Sequence, residues 1–305
     1  MNRIEVNKKY TLSGHQNPIF AVETGSTPSM LFTAGNDKGV VEWDLDVGKF
    51  KRILLPVKSS VYALHYLPAG KLLAIGERSG LVTIVDVEKH LVVARLQHHE
   101  KPIFRIQAFR TKPELIVSSE DGTVSVWDTV NFKLLYHFNV SAETVRCIAL
   151  NRTEDTIAFG AKDSKIRLFH ARDYLQFQEI NEHSAAITAL TFSPDGNFLL
   201  TGGRDAQLNV FETKDFLLNR NITAHMFSIY GIAYHPSFPL FTTASRDKSI
   251  KIWRATDYSL MKNISLEKGY ETHRLSINNI TWINDHTFAS VSDDKMVLIW
   301  NTELI

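Results

Sequence analysis

The chain has 305 residues but a single cysteine, Cys147, so it can form neither an internal disulfide nor a cysteine-based metal cluster. Nothing in it asks for an oxidising compartment. It also lacks an excess of charge of either sign, with 34 Lys and Arg against 33 Asp and Glu. A net charge of +1 excludes a general attraction to phosphate backbones or acidic membrane surfaces, which needs a large basic surplus. Charge-based binding is left to local patches. No apolar run approaches a membrane-spanning length, and Met1 to Tyr10 alternates polar and apolar residues without the apolar stretch of a secretory signal. The expectation is a cytoplasmic protein that keeps its amino terminus. Sustained helical periodicity, phosphate-cradling glycine motifs and the HExxH spacing are all missing as well.

What the chain has instead is a repeat, the feature that must be sought before local structure is read. An aromatic or apolar residue followed by a mostly polar one recurs at Trp43-Asp44, Val85-Asp86, Trp127-Asp128, Phe169-His170, Phe211-Glu212, Trp253-Arg254 and Trp300-Asn301. The first five intervals are each 42 residues and the last is 47. Six residues before each pair stand Asp37, Ser79, Asp121, Asp163, Asp205, Asp247 and Asp294. Further upstream, at one register, are His15, Val57, His99, Ser141, His183, His225 and His273. Four residues after those come Ile19, Val61, Ile103, Val145, Ile187, Ile229 and Ile277, all β-branched and apolar.

Within a unit, short apolar segments such as Leu72 to Ile75 and Leu81 to Val85 are bounded by turn residues, as at Pro68-Ala69-Gly70, Arg78-Ser79-Gly80 and Ser193-Pro194-Asp195-Gly196. Each unit therefore reads as four antiparallel strands. Several strands are apolar on both faces, which requires each small sheet to be covered on both sides. The pattern resembles the WD40 repeat, with a histidine before the first strand and a Trp-Asp pair ending the third. The resemblance covers essentially the whole chain and implies an all-β, seven-bladed β-propeller of four-stranded antiparallel blades. The expectation is one domain over 1–305, with units of about 13–54, 55–96, 97–138, 139–180, 181–222, 223–266 and 267–305. Only five residues follow Trp300, so the last unit lacks a fourth strand. An amino-terminal strand within residues 1–12 would complete it and close the ring.

His, Ser or Thr, Asp and Trp together suggest a catalytic triad: His15, Thr33, Asp37 and Trp43; His225, Thr243, Asp247 and Trp253; His273, Ser290, Asp294 and Trp300. A catalytic group occurs once, whereas this set recurs at the repeat period. The resemblance implies a structural hydrogen-bonded network, and no catalytic residue is expected. Phe211 cannot donate an indole bond, and the units carrying Val57 and Ser141 in place of histidine are expected to lack the network and to be softer. His98, His99 and Glu100 offer three potential metal ligands, but sequence neighbours rarely share a coordination sphere, so neither metal nor cofactor is expected. Cys147 falls at a small-residue position and reads as buried and inert.

The informative positions are those the repeat leaves variable. One residue after each β-branched marker lie Phe20, Tyr62, Phe104, Arg146, Thr188, Tyr230 and Asn278. In a propeller they begin the innermost strands and form a ring at one mouth of the channel, which the resemblance implies is a peptide-docking face. The residues before the Asp markers, among them Lys162, Arg204 and Arg246, are expected beside Arg146 and Arg105 as a basic sector. That sector suits an acidic or phosphorylated segment. The expected partner is a protein or peptide, and membrane binding is not expected. Nucleic-acid binding through the basic sector, an enzyme site in the channel, and assembly through the insertion around Glu267 to Glu271 are the rivals; the charge balance disfavours the first.

Overall fold

The computed structural model describes residues 3–67 and 71–305; the Pro68-Ala69-Gly70 turn lies outside the described residues. The chain forms seven four-stranded antiparallel sheets, each built from four consecutive strands except the last. Blade one consists of Ile19–Thr24, Met30–Gly35, Gly39–Asp44 and Lys49–Pro56. Blade seven consists of Ile277–Asn284, Thr287–Ser292, Val297–Leu304 and, as its outer strand, the amino-terminal Ile4–Leu12. That strand runs antiparallel to Val297–Leu304, from Ile4 opposite Leu304 to Leu12 opposite Val297. No helix among the described residues is long and apolar enough to cross a membrane.

Burial is greatest in the two middle strands of each blade and least in the outer strand. Thr287–Ser292 is buried at every residue, whereas the outer strand Leu134–Asn139 is almost wholly exposed. The core is correspondingly divided. Each of the seven apolar clusters takes residues from two neighbouring blades, as where Phe32 and Val40 of blade one meet Leu73 and Ile75 of blade two. The cluster that joins Val291 and Ile299 to Leu31 and Trp43 closes the ring between blades seven and one. A blade thus has no core of its own, and its stability is a property of the interfaces on its two faces.

The turn between the second and third strands repeats in every blade with one residue in the left-handed region: Lys38, Gly80, Gly122, Ser164, Ala206, Lys248 and Lys295, at φ between 57° and 85°. Only two of the seven are glycine, so most blades hold a side chain in a conformation it disfavours. In blades three to seven the marker aspartate offsets this. Its carboxylate accepts the amide two residues on, from Thr123, Lys165, Gln207, Ser249 and Met296 at 2.8–3.2 Å.

The same aspartate anchors the expected network. In blade six His225 Nδ1 lies 2.9 Å from Asp247, His225 Nε2 lies 2.7 Å from Thr243 Oγ1, and Trp253 Nε1 donates to that hydroxyl at 2.9 Å. With Nδ1–H given to the carboxylate, Nε2 accepts the threonine O–H while the threonine oxygen accepts the indole N–H. Blade one repeats the arrangement with His15, Asp37, Thr33 and Trp43, and blade seven with His273, Asp294, Ser290 and Trp300. In blade five His183, Asp205 and Thr201 are joined and Phe211 contributes no bond.

Blade three adds to the sequence reading and blade four departs from it. Blade three completes its network through Ser125, on the third strand, which bonds both His99 Nε2 and Trp127 Nε1. Blade four, expected to have none, carries a substitute: Ser141 Oγ donates to Asp163 at 2.8 Å, and the Arg167 guanidinium bridges Asp163 at 2.6 Å and Glu179 at 3.1 Å. Ser125 and Arg167 occupy one register position, two residues before the aromatic marker, on the same face of the third strand as that marker.

The insertion that breaks the 42-residue period forms the 3-10 turn Leu266–Lys268, ended by Gly269 at φ 81°. Just beyond it Glu271 pairs with Lys8 of the closing strand at 2.7 Å. The insertion lies against the closure.

Two outcomes are expected. Deleting residues 1–12 exposes the partners of Ile4, Val6 and Leu12, each at most 4% exposed, at a cost of roughly 1.5–3 kcal/mol per side chain. The melting temperature should fall, and an unchanged one contradicts closure by this strand. Thr243→Val leaves a buried indole N–H unpaired and should cost about 1–3 kcal/mol in urea unfolding. Burial lowers the proton affinity of His15 and His225 more than their aspartates raise it, so the unfolded chain takes up more protons below about pH 6.5. Hydrogen bonds outweigh burial at Asp121, Asp205, Asp247 and Asp294 and hold them below 3.8, which adds a second loss of stability as the pH falls below about 4. The same unfolding curves should therefore show stability declining from pH 7 to pH 5 and further below; a constant stability contradicts neutral buried imidazoles.

Candidate functional site at the channel mouth

The innermost strand of every blade opens with the same irregularity. Ile19 pairs with Gly35 and Ala21 with Ala34, so Phe20 between them has no partner across the ladder. The ladder skips in the same way between Val61 and Ala63, Ile103 and Arg105, Val145 and Cys147, Ile187 and Ala189, Ile229 and Gly231, and Ile277 and Asn279. The skipped residues are the seven variable ring positions. A β-bulge re-aims the side chain of its extra residue. All seven, from Phe20 to Asn278, line one cavity of about 410 Å³.

Around that ring the side chains are ordered by one another. The rings of Phe20 and Tyr62 lie 5.1 Å apart, those of Tyr62 and Phe104 5.5 Å apart and stacked, and the Arg146 guanidinium sits 4.8 Å from the Phe104 centroid. An arc of three aromatic rings ending in a cation thus runs over blades one to four. Asn278 donates to the Ile19 carbonyl at 2.8 Å and to Asp293 at 2.7 Å, linking blade seven to blade one.

Arg105, Arg146, Arg204 and Arg246 all line the cavity. Among the described residues Asp293 is the one carboxylate in the lining, and it is engaged by Asn278. Among the described residues none of these four arginines forms an ion pair, whereas Arg52, Arg110, Arg167 and Arg172 each have a carboxylate partner. Arg146 Nε is buried without a hydrogen-bond partner. Burial, and next the like charge of Arg204, pull the Arg146 pKa below its ordinary value.

Lys162 is the exception to the expected basic sector. Its ammonium lies 2.8 Å from Glu143, both side chains are about half exposed, and it is not among the residues lining the cavity. The reach of a flexible side chain toward a carboxylate in the neighbouring loop decides this.

Deeper charges went unread in the sequence. Burial raises the Glu23 carboxyl to about 7 against the opposing effect of Arg105, and burial together with Arg105 lowers His65 to about 3. His65 Nε2 is buried without a partner. The signal was available, since Glu23 and His65 stand four residues after the β-branched marker in their blades. Cys147 is buried beneath the ring, and its thiol is pushed by burial up to about 12, which leaves it unreactive.

The WD domain, G-beta repeat, matches residues 6–44, 91–128, 175–212, 217–254 and 265–301, together more than half of the chain. The inner strands of blades two and four, whose histidines are replaced by Val57 and Ser141, fall between the matches. Over 146 residues the chain is 27% identical to the probable coatomer subunit beta' of Schizosaccharomyces pombe, covering 46% of this chain and 18% of that protein. It is 21% identical over 119 residues to WD repeat-containing protein SL1-17 of Schistosoma mansoni, covering 39% and 40%. It is 23% identical over 140 residues to COMPASS component SWD3 of Saccharomyces cerevisiae, covering 43% and 44%. The matched stretches span less than half the length of each of these relatives. With these repeats over more than half its length and seven four-stranded blades closed into a ring, the chain belongs to the WD40 family of β-propellers.

Proposed function

We propose that this propeller is a non-enzymatic interaction scaffold, working in the cytoplasm, that docks an acidic or phosphorylated segment of another protein at the channel mouth. The observation that carries the reading is the set of four arginines without ion-pair partners in one cavity beside the aromatic arc. Tyr62, Phe104 and Tyr230 serve as apolar anchors and Phe20 as a wall, while Arg105, Arg146, Arg204 and Arg246 set specificity through charge-assisted, bidentate bonds. Arginines gathered round one mouth suit a few anionic side chains better than a length of phosphate backbone. The closed ring fixes this geometry beforehand, so little ordering entropy opposes binding.

Two relatives support the scaffold reading by their names, one a coatomer subunit and the other a COMPASS component. The groups that would serve a catalytic triad are already engaged in the structural network of each blade. Affinity capture from the native cell tests the proposal, comparing wild type with Tyr62→Ala/Phe104→Ala and with Arg204→Glu. Both variants should keep the wild-type melting temperature and recover the partner at least tenfold less well. Wild-type recovery by both would defeat the assignment of this face.

A further inference from the structure

On the face opposite the mouth, blades five and six enclose a cleft of about 650 Å³. Its floor and walls come from the turns that join first to second and third to outer strands, with Phe198, Tyr234, Phe238 and Tyr258 as its aromatic residues. The rings of Phe198 and Tyr258 meet edge to face, 6.2 Å apart.

The repeat supplies an internal comparison. Two blades earlier, Tyr174 stands where Tyr258 does, and its hydroxyl is engaged by Lys112 at 3.0 Å and by Glu114. Lys112 also donates to the Ala171 carbonyl at 2.7 Å, so its ammonium spans blades three and four. At the equivalent positions of blade five, 84 residues on, Lys112 is replaced by Gly196 and Glu114 by Phe198. The polar staple is thereby lost, and Phe198 adds an apolar wall to the cleft. Among the described residues the hydroxyls of Tyr234 and Tyr258 and the guanidinium of Arg220 have no hydrogen-bond or ion-pair partner.

The unengaged tyrosine hydroxyls and guanidinium can all donate, and the charged and imidazole acceptors are taken. Asp195 holds the Asn197 amide and side chain, Asp257 holds Ser259 and Arg254, and His235 uses both ring nitrogens on the Ser237 and Phe238 amides and the Asp285 carbonyl. Burial first, and then Asp195, push the Tyr258 phenol up to about 12, so it remains an O–H donor at neutral pH. A ligand that fits aromatic walls and these donors presents apolar rings and carbonyl oxygens. Those are the properties of a proline-rich segment in the polyproline II conformation, whose backbone carbonyls are unpaired and whose prolines carry no amide hydrogen.

We propose that the cleft between blades five and six is a second docking site, independent of the channel mouth, that takes an extended proline-rich segment of a partner protein. Fluorescence anisotropy on the full chain with labelled decaproline and a length-matched Gly-Ser peptide tests this. Decaproline should bind saturably and at least tenfold more tightly than the Gly-Ser peptide. Tyr234→Phe/Tyr258→Phe, which keeps both rings, and Arg220→Ala, which touches no core position, should each weaken binding at least threefold. Arg204→Glu at the mouth should leave it unchanged, which separates this site from the first. Absence of saturable binding, equal binding of the two peptides, or full affinity in both cleft variants would overturn the proposal. Sedimentation showing self-association that the double variant abolishes would also overturn it, by assigning the cleft to a second copy of the chain.

Discussion

A four-stranded sheet that is apolar on both faces cannot stand alone in water, and the rest of this structure depends on that constraint. Every cluster in the core is shared by two blades, so no blade can be completed until both of its neighbours are present. Only a closed ring gives every blade two neighbours. The amino-terminal strand meets this condition by supplying the outer strand of the last blade, which joins the two ends of the chain. The His, Thr, Asp and Trp networks act one level below. They tie the loop, the second strand and the third strand of a blade together at the places where polar groups are drawn into the interface.

A ring held in this way can carry local features that cost stability. The bulge at the start of each innermost strand interrupts the ladder in all seven blades and directs seven variable side chains to one mouth. Arg146 is the sharpest case, since its guanidinium is partly buried, lacks a partner at Nε and faces the like charge of Arg204. Such an arrangement works against folding, and under the proposed function an incoming anion would relieve it.

Much of this was legible in the sequence because the repeat puts equivalent residues in one register. The blade count, the closing strand and the identity of the ring residues all follow from markers such as Trp43, Asp37 and Ile19 counted at 42 residues. What was not legible depends on relations the register does not express. The bulges arise from a mismatch between two strands, visible only once Ile19 is known to face Gly35 and Ala21 to face Ala34. Ser125 and Arg167 were missed because most blades take the group that completes the network from the second strand, whereas these two blades take a hydroxyl and a guanidinium from the third. Lys162 left the basic sector through a side-chain choice, turning to Glu143. Blades five and six lack the polar staple of blades three and four because Gly196 and Phe198 stand in place of Lys112 and Glu114, a difference that looks unremarkable until those two are seen at work.

The central claim is that the mouth is built for a ligand and not for the fold, and the melting temperature of Arg146→Met tests it most directly. Methionine keeps a long, polarizable side chain beside Phe104 while removing a buried charge. The account predicts a higher melting temperature than wild type, because the guanidinium is desolvated, unpaired at Nε and opposed by Arg204. A lower one would mean that Arg146 holds the ring together, and would contradict the claim.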